Sequence, residues 1–420
     1  MKSAILSIFI VLSFTIPAHS QWLSLNSGTS QNLNSVYFIN QQTGFIVGAG
    51  STLRKTTDGG LNWTAQDPFG ALELRSVFFF NAGTGLVCGY NGTIIKTTNG
   101  GFNWNVIPSG TSTQLLALSF YNNLAGICCG NSGTSLYTTN GGDNWSAGYP
   151  QGYLVTFYSA FMVSPTKGYC AGVNTIFSPL VAKTTNGGAN WTYSSFMVNN
   201  NEATVYGIYF FNDQNGIVVS NLWNGQGGIS MTSNGGVNWT SQIFAYGLLG
   251  VDFPVQTTGY CVGLNGTIMK STDGGYNWSA QTSNSSATLS SVFFIDSLYG
   301  YAVGGAGTLL KTINGGLTGI SEWDNKIPSD FHLFQNYPNP FNTTTKIQFA
   351  IPPLKGVRGM NTMLIIYDVL GREVTTLVNQ ELKPGSYEVE WDGSNYPSGV
   401  YFYKLISDSF TETKKMVLVK

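Results

Sequence analysis

The stretch Thr56-Thr57-Asp58-Gly59-Gly60-Leu61-Asn62-Trp63 returns as TTNGGFNW (97–104), TTNGGDNW (138–145), TTNGGANW (184–191), TSNGGVNW (232–239) and STDGGYNW (271–278). A seventh copy, TINGG (312–316), lacks the tail. The acidic or amide position falls at Asp58, Asn99, Asn140, Asn186, Asn234, Asp273 and Asn314, in steps of 41, 41, 46, 48, 39 and 41 residues. Self-similarity at this period is the mark of a repeat architecture. Upstream of each copy stand an apolar strand such as Ser76–Phe79, a glycine-bounded strand such as Gly85–Gly89, and a third strand such as Thr93–Lys96. With the strand opened by the tryptophan, each repeat holds four short strands, the content of one propeller blade. An Asp or Asn side chain at the turn accepts from backbone N–H groups just ahead. The second glycine suits a backbone with positive φ.

These residues resemble the Asp-box, and the repeat over residues 21–316 resembles the propeller family of the photosystem II assembly and stability factor. The resemblance implies an all-β, seven-bladed propeller. The blade tryptophans are Trp63, Trp104, Trp145, Trp191, Trp239 and Trp278. The seventh copy has none, but Trp22 stands 13 residues before Ser35, the interval that separates Trp63 from Ser76 and Trp278 from Ser291. Residues 21–26 are therefore expected to supply the outer strand of the last blade, which joins the two ends of the ring and leaves no blade incomplete.

Composition agrees with short strands and tight turns. The 420 residues include 52 Gly, with 9% charged and 14% aromatic side chains and a net charge of −1. Nothing here makes the basic footprint of a nucleic-acid binder. Only His19 and His332 are present, so histidine catalysis and most transition-metal sites are excluded, and no metal or other cofactor is expected. Residues 1–20 read as a secretory signal peptide, with Lys2, an apolar run from Ala4 to Ile16, and Ala18 and Ser20 before the cut. No transmembrane segment is expected in the mature chain. The five N-W-[ST] sequons beginning at Asn62, Asn144, Asn190, Asn238 and Asn277 are read as by-products of the motif. Cys88, Cys128, Cys129, Cys170 and Cys261 all fall on second strands and are expected to be small apolar filler, in blades too far apart for disulfides.

The composition shifts near residue 319: residues 21–318 carry 17 charged side chains, and the 102 residues of 319–420 carry 21. Residues 319–330 read as a linker. Residues 331–420 show alternating strands and turn signals of a small Ig-like β-sandwich. There, FQNYPNPFN (334–342), IYDVLGRE (366–373), SGVY (398–401) and KMVLVK (415–420) resemble the type A C-terminal sorting domain of type IX secretion. That resemblance implies handling by the type IX secretion machinery through residues 331–420. It also implies a secreted, extracellular or outer-membrane-surface location in a Gram-negative bacterium.

A sialidase needs three arginines around its substrate, and residues 21–318 hold only Arg54 and Arg75. Asp252 is the one acid out of pattern, on a first strand where other blades carry Phe78 or Phe293. The chain reads as a non-enzyme. Its information about a ligand lies in the differences between repeats. The second-to-third interval is seven residues in most blades but eleven in blade four (Gly172–Lys183) and blade five (Ser220–Met231), and the connection between these blades is longer by three. The insertions share the face opposite the Asp-boxes and carry Phe177, Asn199, Asn200, Asn201, Glu202, Asn221, Trp223 and Asn224. Aromatic and amide groups suit a neutral glycan or an envelope protein. Two other readings stand beside this one: an assembly-factor-like scaffold, and a glycoside hydrolase acting through Asp252 and a partner.

Overall fold

The computed structural model describes residues 22–66, 72–148, 155–316, 321–324, 328–353, 360–393, 396–408 and 410–420. Residues 1–20, the stretch expected to be a signal peptide, lie outside the described residues. The chain forms two compact units, meeting in sequence between Gly316 and Leu317.

The first unit is an all-β propeller of seven four-stranded antiparallel sheets. The first sheet runs Leu33–Phe38, Gly44–Gly48, Leu53–Thr56 and Thr64–Ala65 from its inner to its outer strand. The second begins at Leu74–Phe79, the third at Leu115–Phe120, the fourth at Val155–Met162, the fifth at Ala203–Phe210, the sixth at Leu248–Asp252 and the seventh at Leu289–Phe294. These inner strands touch in cyclic order, the seventh against the first. The only helical segments among the described residues are two short 3-10 turns.

Closure is made by the chain's start. Leu23–Asn26 pairs antiparallel with Thr308–Thr312 as the fourth strand of the seventh sheet, with Leu23 opposite Lys311 and Asn26 opposite Thr308. Trp22 is buried and meets Phe294 edge-on at 5.7 Å. Trp63 on Phe38, Trp104 on Phe79 and Trp278 on Phe253 have the same arrangement, at 6.0, 6.0 and 5.8 Å. In four blades the indole N–H donates to the second glycine of its own turn, Trp63 to Gly60, Trp191 to Gly188, Trp239 to Gly236 and Trp278 to Gly275. Trp22 has no turn of its own. Its Nε1 donates to Gln281 Oε1 at 2.9 Å, and Gln281 Nε2 donates on to the Gly316 carbonyl at 2.7 Å.

The repeated turn has two locks. In the first copy Thr56 Oγ1 accepts the Gly60 N–H at 2.9 Å, and Asp58 Oδ1 accepts the Asn62 N–H at 2.9 Å. Both glycines, not only the second, hold positive φ, 71° at Gly59 and 89° at Gly60, where a side chain would be strained. The hydrogen bonds from Asn62 hold the Asp58 carboxyl down near 2.

The cysteines correct the sequence reading in one respect. All five are free and buried on second strands, but not all are remote from one another. Cys88 packs with Cys128 across the second–third seam, and Cys129 with Cys170 across the third–fourth. Burial first, then the facing thiol, pushes Cys128 and Cys129 well above the usual thiol range. Second strands of adjacent blades contribute to shared clusters at the seam, which a spacing of some 40 residues does not reveal.

The second unit holds two four-stranded antiparallel sheets around one core that includes Ile347, Phe349, Leu364, Ile366, Tyr403 and Leu405. Ser321–Asp324, expected in the linker, forms an edge strand against Gly385–Asp392. The opening and closing signature blocks meet: the Phe341 N–H donates to the Val417 carbonyl at 3.0 Å, and the Val419 N–H to the Phe341 carbonyl at 2.9 Å.

Candidate functional site

The inner strands leave a channel of about 270 Å³ along the axis, to which all seven sheets contribute. At the end where these strands begin stand Asn34, Arg75, Tyr158 and Tyr206. Arg75 is paired with Glu73 at 2.9 Å and also reaches Asn34 Oδ1 at 3.3 Å. Its Nε is buried without a partner. Tyr158 and Tyr206 lie ring to ring at 4.7 Å. Burial raises both phenols, and the nearby Arg75 guanidinium opposes the rise.

The insertions adjoin this mouth. A second cavity of about 380 Å³ is lined by Tyr158, Thr156, Ser132, Asn174, Thr175 and Phe177, so Tyr158 belongs to both spaces. Phe177 sits at the positive-φ tip of the turn after Gly168–Asn174, whose Asn174 side chain accepts the N–H groups of Ile176 and Ser178. Trp223 follows Gly216–Leu222 in the next blade. The two rings meet edge-to-face at 4.4 Å, yet Phe177 is 46% and Trp223 62% exposed. Two separate insertions thus build one aromatic ridge in water.

The remaining sequence-selected residues divide. Asn199 and Asn200 have positive φ in the turn Val198–Asn201, and Asn201 Nδ2 closes that turn on the carbonyls of Val198 and Asn199. Glu202 is exposed. Asn224 Nδ2 bonds Gln226 within its own loop. Asn221 packs against Gly247, with its Oδ1 buried and unpartnered. The structure brings Phe177 and Trp223 together and engages Asn201 and Asn224 in their own turns. Sequence reasoning missed Tyr158 and Tyr206, whose signal was a tyrosine at first-strand positions where Asn34, Arg75 and Leu116 stand in other blades.

Asp252 is half-buried, and its Oδ2 accepts the Phe294 N–H at 2.7 Å. It takes the place of Tyr37 and Tyr209, whose hydroxyls donate to the Phe79 and Phe253 carbonyls of the next inner strand. Burial lifts its carboxyl to about 6. Tyr37 and Tyr209 are each pushed up to about 12, by burial first and then by Asp252. No group of three or more His, Cys, Asp or Glu able to hold a metal occurs among the described residues.

The family model described as "Photosynthesis system II assembly factor YCF48" matches residues 15–148 and 238–313, half of the chain. The model "Secretion system C-terminal sorting domain" matches residues 335–420. Solved structures share the propeller fold. A YCF48 bound to D1 peptide aligns with a TM-score of 0.58 at 20% identity, over 70% of this chain and 96% of that one. YCF48 from Cyanidioschyzon merolae gives 0.56 at 20% identity, over 69% and 98%. The WD40 β-propeller domain of Doa1 gives 0.55 at 16% identity, over 68% and 94%. No curated protein matches the chain.

Proposed function

The chain belongs to the family of the photosynthesis system II assembly factor YCF48 and ends in a secretion-system sorting domain, and from that premise we propose an exported, non-catalytic propeller that binds a polypeptide of the cell envelope. The ligand face is the one that carries the insertions. The observation behind this reading is the exposed Phe177–Trp223 ridge beside the cavity that shares Tyr158 with the axial channel. Two further facts support it. The family match skips residues 149–237, the stretch that contains these insertions. A structurally similar YCF48 is described as bound to a peptide. The sorting tail implies secretion or a cell-surface location. Its resemblance to type IX tails favours the outer surface of a Gram-negative bacterium over a photosynthetic membrane.

The state of the acids supports a non-catalytic role. Asp252 is spent on a backbone amide, Asp58 and Asp273 on their own turns, and Glu73 on Arg75. A glycosidase needs two carboxylates ~5–9.5 Å apart across a substrate. A neutral glycan is the second reading, because two exposed aromatic rings suit sugar stacking. A photo-cross-linker at position 223 in the producing cell is expected to trap a discrete envelope polypeptide. The same group at Leu61, exposed on an Asp-box, is expected to trap none. Equal capture from both positions, or glycan-array binding abolished by Trp223→Ala with no polypeptide trapped, overturns the polypeptide assignment.

A further inference from the structure

Five of the seven seams carry the same cationic clamp. A lysine at the end of a third strand reaches into the next blade's turn and donates to the carbonyl of its first glycine. Lys55 does so to Gly100 at 2.7 Å, Lys96 to Gly141 at 2.8 Å, Lys270 to Gly315 at 2.9 Å and Lys311 to Gly59 at 2.8 Å; Lys183 reaches Gly235 at 3.5 Å. Aromatic rings flank most of these ammonium groups. Lys55 Nζ lies 4.9 Å from the Phe102 ring, which stands two residues after its acceptor glycine. Lys183, Lys270 and Lys311 lie 5.4–5.6 Å from Tyr169, Tyr260 and Tyr301. A carbonyl beside a ring face is a fitting seat for a partly dehydrated ammonium ion.

At the third–fourth seam Tyr137 replaces the lysine and packs against the turn at Gly188. At the fifth–sixth seam Met231 replaces it, and Ile217 stands where Tyr169, Tyr260 or Tyr301 stands elsewhere. The acceptor side is intact. Gly274 keeps positive φ, and Tyr276, 66% exposed, holds the position of Phe102. Between the blades a cavity of about 520 Å³ opens, lined by Met231, Phe211, Gln256, Asp273, Gly274 and Tyr276 among others. Asp273, whose oxygens accept from Ser271 and Asn277 in its own turn, adds a negative charge that four of the five clamped turns lack at this position.

We propose that this seam is a receptor for the ammonium group of a lysine side chain from a partner polypeptide, seated on the Gly274 carbonyl between Asp273 and Tyr276. The methylene stem of the incoming lysine would lie along Met231 and Phe211, as the resident lysines lie along their own blades. This site is on the Asp-box face and does not depend on the ridge at Phe177 and Trp223.

The test is calorimetric titration of the full chain with the peptide Ac-Gly-Lys-Gly-NH2, its Nε-acetyl-lysine and arginine counterparts, and n-butylammonium chloride. The lysine peptide is expected to bind at least tenfold more tightly than its acetyl-lysine and arginine counterparts, and n-butylammonium, which carries the same ammonium group and methylene stem, is expected to compete with it. Met231→Lys supplies the missing clamp from within and is expected to abolish peptide binding with an unchanged or raised melting temperature. Asp273→Asn keeps an amide that serves most of the other turns and is expected to weaken the peptide several-fold. Binding that is equal for lysine and acetyl-lysine, that persists in a folded Met231→Lys variant, or that butylammonium fails to displace would overturn the assignment.

Discussion

Among the departures of the ring from its repeated plan, two run in opposite ways. At the seventh sheet the motif tryptophan is missing, and the molecule repairs the loss: Trp22 fills the aromatic place and Gln281 relays its N–H to the Gly316 carbonyl. At the fifth–sixth seam the clamping lysine is missing, and Met231 does not replace its bond; a cavity stands there. A repaired departure belongs to the fold. An unrepaired one leaves an acceptor available to something from outside. The opposite face follows the same logic, since the insertions at Phe177 and Trp223 enlarge two loops without burying either ring.

The comparison can be broken at its repaired end first. Trp22→Ala removes a buried aromatic from the closing sheet and is expected to cost roughly 3–5 kcal/mol, read as a shift in the denaturant midpoint. An unchanged midpoint would show that the closing seam carries no weight. Asp252 sharpens the comparison, because it is a departure repaired only in part: its carboxyl accepts an amide hydrogen, but burial holds its pKa at about 6 against an ordinary 3.8. The folded protein therefore binds a proton more tightly than the unfolded chain does. This stabilising contribution is present below about pH 4 and is lost as pH rises through 6. Asp252→Asn is expected to be neutral at pH 4 and to stabilise by roughly 1–3 kcal/mol at pH 7.5, which paired melting curves would check. Gln281→Ala should be the smallest of the three, about 1–2 kcal/mol for a lost buried relay, and Trp22→Ala in its background should cost less than in the wild type if the two act as one unit.

Much of this was legible in the sequence, because a period makes every deviation visible against six other copies. The 13-residue interval from Trp22 to Ser35 placed the closing strand, and the copy lengths placed the insertions. What the repeat hid was contact between copies. The lysines were plain in five of the third strands, but their acceptors lie 45 to 52 residues further on, or, for Lys311, back at the first turn. No local pattern joins them. For the same reason Cys88 and Cys128 read as distant and pack together. Tyr158 and Tyr206 read as strand residues, and their exposure to the channel follows only once seven inner strands form a ring.

The account rests on the chain's own start sealing that ring, and amide hydrogen exchange on the full chain tests this directly. Leu23–Asn26 is expected to exchange as slowly as its partner Thr308–Thr312, and both are expected to lose protection together in Trp22→Ala. Exchange of Leu23–Asn26 at the rate of an unstructured peptide, with Thr308–Thr312 still protected, would contradict it.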